Sequence, residues 1–157
     1  MKTEFKVKEL THEELVDFIS TATYGDNSFE ILVPEEYAHL KKQGPCDCWE
    51  DKIANVLENG GKIDVVDCED DGYEEGEQQL FQNNAYPLKH HLEKYESYDG
   101  DVLYRPTYRI GLDDILNAFS TEEGYGYAKE LLVDEEGDFY TAWNLLQLVI
   151  FGEVVYG

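Results

Sequence analysis

Asp67-Cys68-Glu69-Asp70-Asp71-Gly72 is the sharpest chemical pattern in this chain. Acids at the first, third and fifth places with glycine at the sixth match the front of a calcium loop, where side-chain oxygens converge and glycine makes the turn. The twelfth place calls for a bidentate glutamate and holds Gln78, with Glu77 one residue early. The segment entering the loop reads as a strand, whereas an EF-hand loop follows a helix. The pattern therefore predicts a highly charged, solvated turn, and a small calcium-binding regulator remains an alternative. Cys46, Cys48, Cys68, His90 and His91 offer enough donors for zinc. The Cys46-x-Cys48 spacing misses the usual gap of roughly two to four residues, and no second clustered pair follows. No metal site and no cofactor are assigned.

Other catalytic patterns are no better supported. A cysteine nucleophile needs an electropositive pocket, and each cysteine here sits among acids. Carboxylate pairs are so numerous that none stands out for acid–base work. The chain has no glycine-rich phosphate loop, nucleophile elbow or kinase signature. A non-enzymatic protein is expected.

The strongest global signal is charge. Thirty-five acidic residues face twelve basic ones, a formal net of −23. Residues 64–157 hold twenty-two acids against five basic residues, a net of −17, and Lys129 is the last basic residue after Arg109. Such a surface repels nucleic acid and anionic membrane and attracts basic proteins. Hydrophobic residues make up 42%, with twelve Tyr, seven Phe and two Trp, which separates the chain from aromatic-poor acidic tails. One domain over residues 1–157 is expected. No apolar run is long enough to span a bilayer, the charged start is unlike a signal peptide, and three cysteines are an odd number. These features predict a reduced, cytoplasmic protein.

The elements that must position these groups follow from pattern. Phe5 and Val7, alternating with lysines, predict a short opening strand. Thr11 and Glu14 form a capping box with Leu10 and Leu15 at the staple positions, and Leu15, Phe18, Ile19 and Ala22 mark a buried helix face. A second helix is predicted from Pro34 to Lys42, and a third over Trp49 to Leu57, stopped by Asn59-Gly60-Gly61. Lys62 to Cys68 reads as a strand. Residues 69–101 read as an irregular acidic insertion in a hairpin-like connection, with a short helix over Pro87–Ser97 burying Leu88, Leu92 and Tyr95. Val102 to Ile110 reads as a second strand pairing with the first, with Pro106 marking an edge or a bulge. Leu112 to Phe119 is a helix, and Ser120 to Glu123 is a second capping box opening another. Asp138 caps a helix from Phe139 to Phe151 with a polar stripe of Thr141, Asn144 and Gln147. Val154 to Tyr156 reads as a return strand. The fold class is α+β: a helix-rich domain with a small antiparallel sheet and an apolar C-terminal core helix.

Three stretches carry a family resemblance: Gly60-Gly-Lys-Ile-Asp-Val-Val-Asp-Cys-Glu69, Tyr108-Arg-Ile-Gly-Leu-Asp-Asp-Ile-Leu-Asn-Ala-Phe119, and Trp143 to Gly157. Together they resemble small acidic proteins of unknown function from conjugative elements and prophages of gut Bacteroidales. Mobile elements carry antirestriction and anti-CRISPR proteins, several of which display carboxylates in place of DNA phosphates. In size, charge and Tyr content this chain is similar to those mimics.

The functional expectation is a protein-binding module acting through an acidic, Tyr-bearing surface on a basic partner, with a DNA-mimic inhibitor of a nucleic-acid-binding enzyme as its sharper form. The contact residues expected are Asp67, Glu69, Asp70, Asp71, Glu74, Glu75 and Glu77, supported by Asp134, Glu135 and Glu136. Their carboxylates would meet Lys and Arg on the partner. An immunity or antitoxin-like protein is the alternative within the binding class.

Overall fold

A computed structural model describes residues 7–24, 28–41 and 48–157. Helix α1, His12–Thr23, begins as its capping box requires, with Thr11 Oγ1 accepting from the Glu14 amide and the Glu14 carboxylate accepting from the Thr11 amide. Its apolar stripe, Leu15, Phe18, Ile19 and Ala22, is buried. Strand β1, Phe29–Leu32, follows, then a 3₁₀ helix over Glu35–Leu40 where a longer helix was expected. The expected end of that helix at Lys42 lies outside the described residues. Helix α2 spans Trp49–Glu58 and buries Ile53, Ala54, Val56 and Leu57. His12 clasps α1 to α2, with Nε2 2.5 Å from Asp51 Oδ1 and Nδ1 2.8 Å from Glu58 Oε1. The Asp51 hydrogen bond, outweighing burial, raises the His12 pKa.

Strand β2, Lys62–Asp67, lies antiparallel to β1. A short helix α3, Gln78–Gln82, then leads to β3, Lys89–Glu96, and β4, Val102–Gly111. The sheet order is β1-β2-β4-β3, and every neighbour is antiparallel. The expected pairing of the Lys62 and Val102 strands is present. Three expectations in this region are corrected. Residues 89–96 form a strand: Leu88, Leu92 and Tyr95 recur at a helical interval, but the adjoining turn and the pairing with β4 override it. There Ser97 and Asp101 close a hairpin loop in which Gly100 adopts φ +85°. The intervening residues therefore supply an edge strand, so the 69–101 stretch is only partly irregular. Finally, Pro106 sits in a strand flanked on both sides. It is tolerated because the β2 ladder ends at Val66↔Thr107 and the Tyr73↔Tyr104 bridge starts two residues beyond Pro106, so no ladder bond needs its missing N–H.

The last third is helical: α4, Leu112–Phe119; α5, Glu122–Ala128, continuing into a π turn over Lys129–Val133; and α6, Phe139–Phe151. The cap of α5 is Thr121, one residue later than expected. Ser120 is otherwise engaged, its hydroxyl donating to Leu116 O and accepting from the Val7 amide. Val7 thus anchors to α4 and lies outside the sheet; Phe5 lies outside the described residues. Helix α6 is capped by Asp138, closed by Gly152 in the left-handed conformation, and buried on nearly all sides. It packs with α1 and α4 behind the sheet face formed by Phe29, Ile31, Ile63, Val65, Tyr108 and Ile110. The expected α+β architecture with an apolar C-terminal core helix is the observed one.

Candidate functional site

The acidic turn is a fixed structure. Tyr73 makes a two-bond bridge to Tyr104 on β4, both bonds 2.8 Å. Asp70 Oδ1 accepts from the Gly72 amide, Glu77 Oε1 accepts from the Glu74 amide, and Tyr95 donates its hydroxyl to Asp71 O. Lys89 Nζ, donating to Phe81 O, Gln82 O and Asn84 O, holds the end of α3 against the start of β3. On this scaffold Glu69, Asp71, Glu74, Glu75 and Glu77 are exposed, and Asp70 is half-buried. Glu69 also accepts from the Ser28 hydroxyl at 2.7 Å.

Register adds a second acidic group at the same end of the sheet. Tyr104 faces Tyr73 on one side and Lys94 on the other, so the turn and the β3–β4 hairpin tip flank one stretch of β4. The tip exposes Glu96, Asp99 and Asp101 around a fully exposed Tyr98. These residues were not among those expected. The first arm of that hairpin, within residues 87–97, fits a helical interval in the sequence, so its tip is not foreseen beside the turn. Asp134, Glu135 and Glu136 are exposed too, but they stand on other supports, after the π turn packed on α1 and α6. Asp134 is engaged by Lys129 at 3.4 Å.

Asp67 corrects the expectation most sharply. It is 2% exposed and faces the core, so it is no surface contact and cannot open a calcium loop. Because it pairs with Phe29, it points to the same sheet face as that core residue. Its Oδ1 accepts from the Glu69 and Asp70 amides, and its Oδ2 accepts from the Tyr156 hydroxyl at 2.6 Å. Burial pushes its pKa from 3.8 up to about 6, against the opposing pull of the Tyr156 and backbone hydrogen bonds. The other end of the tail is fixed by Gln147 on α6. Gln147 Oε1 accepts from the Val155 and Tyr156 amides, and Nε2 donates to Tyr156 O. The expected return strand is therefore an extended tail pinned by two side chains, and Gln147 belongs to no wet stripe.

A pH prediction follows. A carboxyl with a raised native pKa contributes stability that is fully present below 3.8 and lost as pH rises through about 6. Asp67→Asn has no charge to bury there, so its stability relative to wild type should climb between those two values and stay level above them. Urea midpoints across that range check this; parallel curves for the two proteins would show that Asp67 ionises without penalty.

The zinc donors that the sequence offers divide, and Cys46 lies outside the described residues. Cys48 is disulfide-bonded, against the expectation of three reduced thiols. Cys68 is a free thiol. It borders a cavity of about 590 Å³ lined by Ile19, Phe29, Trp49, Ile53 and Arg105. Burial raises the Cys68 pKa, the opposite of what a thiolate nucleophile needs. His90 and His91 sit on β3, outside the lining of that cavity. There Asp64, buried on β2, takes a two-pronged contact from Arg109, Nε to Oδ1 at 2.8 Å and Nη2 to Oδ2 at 3.1 Å. The Arg109 Nη1 reaches Glu36 at 2.7 Å. Burial and the nearby Arg109 and His91 lower the His90 pKa.

No family model, curated protein or solved structure matches the chain. No helix among the described residues is long and apolar enough to cross a membrane. The fold and site define an α+β protein with an acidic sheet end.

Proposed function

We propose that the protein is a non-enzymatic binding module that engages a basic protein through the acidic rim formed by the 69–77 turn and the 96–101 hairpin tip. In its sharper form the rim is a DNA mimic, with carboxylates taking the place of phosphates against a nucleic-acid-binding enzyme. One observation carries the reading: exposed acids from two separate segments flank the same stretch of β4, on turns held by main-chain and side-chain hydrogen bonds. Charges fixed before binding lose little entropy on contact, and like charges gathered on one rim steer a basic partner. Tyr98 at the tip adds contact area at low entropic cost. The resemblance to proteins of mobile elements supports the mimic form.

The test is capture from the native host at low and high salt, using wild type and the variant Asp71→Asn, Glu74→Gln, Glu75→Gln. The expected result is a basic, nucleic-acid-binding protein held by wild type, released at high salt, and lost to the variant by about tenfold or more, since counterion release makes such contacts steeply salt-dependent. A partner retained equally by the variant would overturn the rim as the contact surface. A salt-resistant partner that still needs the rim would replace mimicry with the immunity-type reading.

A further inference from the structure

The polar face of the sheet carries a donor set that neither the rim nor the core uses. In an antiparallel ladder directly paired residues share a face. Val66 pairs with Thr107, and Thr107 pairs with His91, so His91 lies on the same face as Asp64, two residues along β2. His90, its neighbour in sequence, would ordinarily point to the opposite face. The register of β3 shifts between Lys89 and His91, a bulge that brings the His90 ring back beside His91. Their Nδ1 atoms are 2.8 Å apart and their rings lie 5.0 Å centre to centre.

We propose that Asp64, His90 and His91 form a binding site for one divalent transition-metal ion, zinc being the ion of choice, that staples edge strand β3 to β2 across β4. One donor atom from each residue lies within 4.8 Å of the other two. A tetrahedral zinc ion with bonds of about 2.0–2.1 Å spaces its donors about 3.3 Å apart, a value that falls between the observed imidazole contact and that outer bound. Two imidazoles with one carboxylate favour such a metal over calcium or magnesium, which take all-oxygen shells.

The surroundings fit a metal as well. Glu93 Oε1 lies 2.6 Å from His91 Nε2, where it accepts the ring proton and leaves Nδ1 as the free donor toward His90. A carboxylate behind a ligating imidazole is the usual outer partner of a metal-bound histidine. Arg109 occupies one lone pair on each Asp64 oxygen, and a carboxylate has about four such sites, so acceptor capacity remains. Asp64, Glu36 and Glu93 against Arg109 give a local charge of −2 with both imidazoles neutral, which a divalent cation cancels. Three protein donors leave one position for water.

Calorimetric titration of the chelator-treated protein with zinc chloride at neutral pH tests the site. One equivalent should bind, raising the melting temperature and shifting the His90 and His91 ring nitrogen resonances, while magnesium and calcium at equal ionic strength do neither. His90→Ala, at an exposed position that folding tolerates, and His91→Ala should each weaken zinc by at least about tenfold, and Glu93→Gln by about tenfold. Zinc that binds His90→Ala and His91→Ala as tightly as wild type, or no binding at millimolar zinc, would overturn the proposal.

Discussion

Gln147→Ala is expected to destabilise the protein by about 3–5 kcal/mol, the sum of a buried cavity and lost hydrogen bonds. Gln147 is 0% exposed, and its amide stands in for a neighbouring strand, accepting from two tail amides and donating to one tail carbonyl. Alanine removes all three bonds. The tail then moves to water, which also frees Tyr156 from Asp67, so the loss extends to the core face of β2. Urea unfolding gives the magnitude, and hydrogen exchange gives the mechanism. The Val155 and Tyr156 amides should be protected in wild type and exchange freely in the variant, with α6 amides following global unfolding in both. A variant that keeps those two amides protected would show that the tail is held by something other than Gln147.

Gly124→Ala is the second large effect, about 3 kcal/mol of destabilisation from overpacking. A Cβ at position 124 would lie 1.8 Å from the Ala118 carbonyl oxygen. That oxygen also accepts from the Thr121 hydroxyl at 2.8 Å, and Thr121 in turn caps the Gly124 amide at 3.0 Å. The corner between α4 and α5 is therefore closed around a hydrogen atom, and a methyl group must pry it open and break the cap. Gly126, two residues on, provides the internal control. It is exposed in the same helix, and an added Cβ there meets nothing within 4 Å. Gly126→Ala should stabilise by about 0.5–1 kcal/mol through helix propensity alone. Opposite signs at the two positions, read by chemical denaturation, support the described corner. Equal effects would mean that α4 and α5 do not meet this way.

Much of the fold was legible wherever local chemistry and burial agree. The Thr11–Glu14 capping box, the Leu15, Phe18, Ile19, Ala22 stripe and the Asp138 cap each specify one structure, because the polar pattern and the apolar pattern point the same way. Strand β3 was not legible for the opposite reason. Leu88, Leu92 and Tyr95 recur at a helical interval, and only the Asp99-Gly100 turn and the pairing with β4 select a strand. Missing β3 hid the rest of the site. Without it the hairpin tip does not approach the acidic turn, and the bulge that joins His90 to His91 cannot be foreseen. Asp67 and Gln147 show a second limit. A polar residue at the end of a strand or on a helix stripe looks the same whether it meets water or a buried partner, and both partners here come from the last five residues of the chain.

As a contact surface, the proposed rim would give a use to part of so acidic an exterior over so apolar a core. Helix α6 needs no −23 exterior to stay folded, and self-repulsion opposes the compact state. Asp70 and Glu77 are committed to shaping the turn, while Asp71, Glu74 and Glu75 project from it. That division, some acids building the scaffold and others displayed on it, is what a charged contact surface requires.

The most direct measurement is carboxyl footprinting of the protein alone and in complex with the partner recovered at low salt, using carbodiimide labelling read by mass spectrometry. Asp71, Glu74, Glu75, Glu96, Asp99 and Asp101 should be protected together, with Asp113 and Glu122 labelled equally in both states. Protection centred on Asp134, Glu135 and Glu136, with the turn and hairpin tip still reactive, would contradict the proposed rim.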